Sequence, residues 1–177
     1  AAERVLRKKG AAGRVEDVVR AAGAAKGTFY LYFDSWEDLL LAIRARVYES
    51  FDRRILMHGV LEGEVAWWAF MDRFLDGFVD FVTELEGLHE VLFRGPLVGS
   101  VPVAKGQGAV GRIAGLIREG IEAGVFADVD PEPTARMLFA AIHEATDAIL
   151  AGADRKAYLT ALRSFVRRAL GCAALKE

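Results

Sequence analysis

The chain has 177 residues, enough for one full-sized domain or a small one joined to a larger, and 53% are hydrophobic against 27% charged, which excludes wholesale disorder. Its formal net charge of −2 hides an asymmetry: residues 1–54 hold 11 Lys and Arg against 8 Asp and Glu, and residues 55–177 hold 12 against 17. The apolar runs are too short to cross a bilayer, no basic-then-apolar leader is read, and Cys172 is alone, which excludes an internal disulfide and fits a cytoplasmic protein. In chain order, "AAERVLRKKG" reads as the end of a helix whose first turns are truncated, with Arg7, Lys8 and Lys9 in its last turn and Gly10 as its stop. "RVEDVVRAAG" predicts a second short helix on Val15, Val18 and Val19, closed by Gly23. A third runs from about Ala25 to Tyr32, and a long fourth starts at a Ser35 cap and carries the stripe Leu39, Leu40, Ile43, Val47 and Phe51 as far as Met57.

After "HGVLEGE", a helix over about 64–84 shows two apolar seams, one through Trp68, Leu75 and Phe78 and one through Trp67, Phe74 and Phe81. Only the face with Asp72, Arg73, Asp76 and Asp80 reads as made for water. A short helix and an irregular stretch broken by Pro96 and Pro102 follow, then helices at about 108–123, 131–151 and 154–171. No strand and no internal repeat is expected, so the fold class is all-α.

The stretch "KGTFYLYF" (Lys26 to Phe33) places four rings in eight residues behind a lysine and a glycine. On a helix, Phe29 and Phe33 share one face and can plug the core, while Lys26 with Tyr30 and Thr28 with Tyr32 point to the flanks and outward. That outer surface offers an ammonium, two phenols, a threonine hydroxyl and a glycine that admits close backbone approach. These groups suit phosphate oxygens and base edges. Two short helices joined at a glycine turn have helix-turn-helix geometry, with the second entering the major groove.

From these residues outward, "RVEDVVRAAGAAKGTFYLYFDSWEDLLLAI" resembles the DNA-binding domain of the TetR family of bacterial transcriptional regulators over about Ala1 to Val47. The resemblance implies a three-helix helix-turn-helix domain at 1–47, joined by the long helix to a ligand-binding and dimerisation bundle at 48–177. It implies that Lys26, Tyr30 and Tyr32 touch phosphates, that Gly27 and Thr28 lie on base edges, that Leu31 meets a thymine methyl, and that Phe29 and Phe33 are structural. Three positions depart from the pattern: Gly13-Arg14 stand where a Ser or Thr opens the second helix, Ala25 where a Ser is common, and Trp36 where a Lys is common. Arg14 is the candidate to replace a lost phosphate contact, and Ala25 keeps its place beside the DNA.

The function so implied is a repressor that, as a homodimer, holds a palindromic double-stranded operator and is released by a small hydrophobic or aromatic effector, with no cofactor, no metal and no membrane partner expected. Phe139, Ile142, Thr146 and Ile149 on one helix and Leu162, Phe165, Val166 and Ala169 on the next are the candidate dimer seams; the alternative use of those seams is to close one subunit's own core. Phe74, Phe78, Phe93 and Met137, with His89, His143 and Glu144 as polar orienters and Gly77 leaving a gap, are the candidate effector contacts; solid packing is the alternative. The second function considered is an all-helical enzyme or cofactor carrier with a helix-turn-helix-like segment. No catalytic constellation supports it, and "GQGAVG" (Gly106 to Gly111) matches a dinucleotide-binding pattern without the strand that pattern needs. His58, His89 and His143 lack metal-ligand spacing.

Overall fold

A computed structural model describes residues 1–56, 62–85, 87–94 and 108–171 of the chain. The described residues are helical throughout, and the chain divides into two compact units. The first comprises Ala1–Phe51 and Phe81–Pro102; the second comprises Asp52–Asp80 and Val103–Glu177.

In the first unit, helix α1 (Ala2–Lys9) carries Glu3 in its first turn and Arg7, Lys8 and Lys9 in its last, the order the helix dipole favours. Gly10 ends it at φ 55, a conformation only glycine adopts cheaply. Helix α2 (Val15–Ala22) is closed by Gly23 in the left-handed region, and α3 (Lys26–Tyr30) follows after two residues more. Helix α4 (Trp36–Phe51) starts where Ser35 Oγ accepts the Asp38 N–H at 3.0 Å, as the capping pattern requires. Its regular geometry ends at Phe51; the wide, π-type turns of Asp52–Leu56 carry the chain onward, where continuous helix was expected.

The core of this unit is Val5, Leu6, Val18, Phe29, Leu39, Leu40, Ile43, Val47 and Phe51. Distant residues complete it. Phe81, in the last turn of α5 (Gly63–Leu85), meets Phe51 edge to face at 5.3 Å. Helix α6 (Gly87–His89, running on in wide turns through Glu90–Arg94) brings Phe93 to Tyr48 at 5.4 Å and buries Leu88 and Leu92. Arg7 Nη1 donates to the carbonyls of Glu84 and Leu85 at 2.9 and 3.0 Å, so a cation of α1 satisfies the open C-terminal end of α5.

The second unit contains the first five turns of α5 with α7 (Ala109–Glu122), α8 (Pro131–Leu150) and α9 (Arg155–Leu170). Asp130 and Asp154 cap α8 and α9 through Glu132 N–H and through Lys156 and Ala157 N–H. Phe126 is the aromatic hub, 5.4 Å from Trp67 and 5.2 Å from Trp68. The sequence reading leaves the Asp face of α5 to water, and the structure corrects it. Arg167 pairs with Asp72, Arg163 with Asp72 and Asp76, and Arg155 with Asp80, a ladder that holds α9 antiparallel to α5. The Arg167 guanidinium also lies 4.9 Å from the Trp68 ring. The gap expected at Gly77 is filled as well: a Cβ there would meet three carbons of Ile55 at 3.4 Å.

Gly120 is indispensable for a different reason. A Cβ at that position would lie 2.2 Å from the ring of Phe126, which is itself fully buried. Gly120→Ala should therefore destabilise the protein by about 1–3 kcal/mol despite alanine's better helix propensity, lowering Tm by roughly 2–10 °C. Gly115→Ala, on the same helix with nothing within 4 Å, is the control and should hold or raise Tm. Melting by circular dichroism checks both, and a Gly120→Ala chain as stable as the control would contradict this packing.

Candidate nucleic-acid interface

Helix α3 has five residues, too short to be stable alone, so packing decides its orientation. Phe29 supplies that packing: it is 5% exposed and contacts Phe33 at 5.4 Å and Tyr30 edge to face at 5.2 Å. With that ring inside, every other candidate side chain is turned out. Tyr30 is 50% exposed, Leu31 80% and Tyr32 77%, and Arg14, Ala25, Lys26, Gly27 and Thr28 are all exposed. The helix is shorter than the expected Ala25–Tyr32. After Tyr30 the chain tightens, with Leu31 N–H on Thr28 O and Tyr32 N–H on Phe29 O, because Phe33 must swing back toward the core before Ser35 opens α4. Leu31 and Tyr32 thus sit on a turn at the tip of the head.

Gly27 is informative because the fold does not require it. Its φ is not positive, and a Cβ there would have nothing within 4 Å. A glycine inside a helix costs up to about 1 kcal/mol relative to alanine. The open space beside its Cα is room for something outside the chain.

The cations around this surface already hold partners. Lys26 Nζ lies 2.5 Å from Glu16 Oε1, with both side chains more than half exposed. Lys9 Nζ lies 2.6 Å from Asp17 Oδ1, and Asp17 Oδ2 accepts the Arg14 N–H at 3.2 Å, closing the start of α2. Arg14 Nη1 donates to the carbonyls of Ala11 and Gly13. Sequence reasoning missed Glu16, ten residues from Lys26, since only the turn between α2 and α3 brings them together. The hydrogen bond from Lys26 holds the Glu16 carboxyl below its ordinary 4.5 and raises the lysine above its ordinary 10.5. Lys9 likewise holds Asp17 down.

Two departures from the sequence pattern explain each other. Buried Gly13 faces the half-buried Trp36, whose ring would be 3.6 Å from a Cβ there, so the indole occupies the corner where α2 begins.

The candidate effector residues are divided between the two units. His89 and Phe93 belong to the first unit and lie 5.5 Å apart, centroid to centroid. Phe74 and Phe78 are buried in the second, where His143 contacts Phe78 at 5.1 Å and Phe139 at 4.1 Å. Met137, 61% exposed, and Glu144, also exposed, lie on the outward face of α8 within the second unit. Of the candidate dimer residues, Ile142, Thr146, Leu162 and Val166 are buried in the subunit's own core, and Thr146 Oγ1 donates to Ile142 O at 2.7 Å. Phe165 is exposed, and Phe139, Ile149 and Ala169 are half-buried. The period identifies a stripe and leaves open whether it faces its own core or a second copy. Cys172, Gly106 and His58 lie outside the described residues. Among the described residues no group of His, Cys, Asp or Glu is placed to hold a metal ion, and no helix is long and apolar enough to cross a membrane.

Comparison with known proteins gives the same organisation. Residues 1–43 match the family model for bacterial regulatory proteins of the tetR family, and residues 67–171 match that for the tetracyclin repressor-like C-terminal domain. The uncharacterised HTH-type transcriptional regulator YvdT of Bacillus subtilis (strain 168) is 36% identical over 63 residues, which span 35% of this chain and 31% of that protein. A crystal structure described as a tetR family transcription regulator, from Shewanella sp. PV-4, superposes with a TM-score of 0.69 at 19% identity, covering 96% of this chain and 93% of the other. The transcriptional regulator FadR of Bacillus subtilis, solved with stearoyl-CoA, superposes with a TM-score of 0.59 at 19% identity over 96% of this chain and 94% of its own.

The ion pair at the head has a defined pH window. Glu16's folded value lies below its unfolded one, so its contribution is present above the unfolded value and is lost as pH falls through the folded one. Lys26's is raised, so its contribution is present below the unfolded value and is lost as pH rises through the folded one. The pair holds across neutral pH. In a Lys26→Ala chain the Glu16 carboxyl should titrate back toward 4.5, read from its side-chain carbon shift by NMR. An unmoved titration would mean that the pair does not persist in solution.

Proposed function

The chain belongs to the tetR family of bacterial regulatory proteins, a transcriptional regulator with a helix-turn-helix head, and from that premise we propose that it is a cytoplasmic repressor released from its operator by a small hydrophobic effector. One observation carries the DNA-binding surface: Gly27, with no fold-imposed need for glycine, lies among outward Lys26, Thr28, Tyr30, Leu31 and Tyr32. Lys26 and the two phenols grip phosphates, the bare Gly27 backbone lets a strand approach, and Thr28 and Leu31 meet base edges and a thymine methyl. Two heads in a homodimer read half-sites one helical turn apart, about 34–36 Å.

The outward apolar seam of α9, Tyr158, Ala161 and Phe165, supports the dimer, with Phe139, Ile149 and Ala169 at its edge. The inner aromatic cluster of Phe74, Phe78 and His143 supports a hydrophobic effector. That a protein of the same fold, FadR, was solved with stearoyl-CoA supports the same class. Effector binding shifts the heads only by its preference for the arrangement that does not fit two successive grooves.

Gly27→Ala should leave Tm unchanged or slightly raised and weaken binding to a duplex selected from a random pool by the protein itself. Lys26→Ala with Tyr30→Ala should weaken binding to every duplex by roughly tenfold or more near 100 mM salt and flatten the salt dependence. Fluorescence anisotropy reads both, and a double variant that binds like the parent refutes the assignment of this surface. Phe165→Glu should give monomers in sedimentation velocity at micromolar concentration, since a carboxylate cannot be buried unpaired in an apolar seam. A dimer that survives it places the contact elsewhere.

A further inference from the structure

The DNA-facing lysine is already satisfied by a carboxylate of its own chain. Glu16 is the second residue of α2, and its carboxylate sits against Lys26 at hydrogen-bond distance. Its neighbour Asp17 also binds a lysine but does structural work besides, accepting the Arg14 N–H that starts α2. Glu16 holds Lys26 at the surface instead, its own side chain more than half exposed.

We propose that Glu16 acts as an internal stand-in for a DNA phosphate, holding Lys26 so that every duplex must displace it and only one with matching base contacts still binds tightly. The proposal rests on the reading of α3 as the DNA-contacting helix. Duplex DNA attracts any cation regardless of sequence, and that term supplies essentially all non-specific affinity. A lysine in an exposed ion pair must give up its partner before it neutralises a phosphate, and the abandoned carboxylate then faces the polyanion. Both effects subtract from binding to every sequence.

At a matched site, Thr28, Leu31 and the Gly27 backbone add contacts that a random duplex lacks, and these offset the exchange. Random DNA offers no such offset. The carboxylate thus lowers the weak, undirected mode to the point where base contacts decide. An exposed pair is worth little in itself, so Lys26 is delayed rather than locked.

The test uses the whole chain, a random-sequence 30-base-pair duplex and a duplex selected from a random pool, with anisotropy followed over a salt series. Glu16→Gln removes the charge and keeps the shape. It should fold with an unchanged Tm, bind the random and the selected duplex alike roughly 3- to 10-fold more tightly, and show a steeper salt slope. Asp17→Asn, by contrast, should lower Tm. In the Lys26→Ala background Glu16→Gln should give a clearly smaller gain, because there is no lysine to release and only the carboxylate's own repulsion is removed.

An equal gain in both backgrounds would overturn the proposal, since the effect would then be bulk charge acting without Lys26. A Glu16→Gln chain that binds the random duplex no better than the parent would also overturn it. In either case Lys26→Ala and Gly27→Ala still report on the DNA-binding surface by themselves. If they weaken binding, only the role of Glu16 has failed; if the parent binds neither duplex, the reading of the head fails and this inference falls with it. A Glu16→Gln chain that instead loses affinity for the selected duplex alone would mark Glu16 as an acceptor for a base edge, and would equally overturn it.

Discussion

The burial of one phenylalanine sets the geometry of everything the head presents. A five-residue helix has no intrinsic stability, because nucleation is costly and few backbone bonds offset it. Phe29 fixes it by inserting its ring on the buried side of the helix, against Phe33, where α3 packs on α2. Once that ring is inside, helical periodicity leaves no choice for its neighbours. Lys26, Thr28, Tyr30 and the turn beyond them are outside as a consequence. The chemistry of the surface is therefore specified by one core contact, and a shift of one residue in the phase would bury a phenol and expose a benzene ring.

The two units use charge in opposite ways. In the second, Asp72, Asp76 and Asp80 meet Arg163, Arg167 and Arg155 across two helices, and Arg163 bridges two of the aspartates. A ladder of planar guanidiniums fixes the antiparallel direction, since only that order sets Arg155, Arg163 and Arg167 against Asp80, Asp76 and Asp72. In the head, Lys9 and Lys26, on long flexible stems, are each set against one carboxylate. Lysine is the better choice where a partner is to be exchanged, and arginine where it is to be kept.

Much of this was legible in the sequence. The glycine stops at Gly10 and Gly23, the Ser35 cap and the split of "KGTFYLYF" into buried and outward rings all follow from local rules, and local rules govern short helices with tight turns. What was not legible depends on which elements meet. The Asp face of α5 reads as solvated because its arginines lie about ninety residues away. Glu144 reads as a polar group embedded in an apolar stretch, yet the phase of α8 is set by Ala135, Leu138 and Ile142 and turns it and Met137 outward. The wide turns at Asp52–Leu56 and Glu90–Arg94 have no sequence signature that distinguishes them from ordinary helix.

Helix α5 deserves its length for a reason that follows from where its ends lie. Its first five turns belong to the second unit, and its last turn, from Phe81, to the first. At the far end its final carbonyls are held by Arg7 of α1, and the next residues cross so close to α1 that a Cβ at Gly87 would be 3.4 Å from Arg7 O.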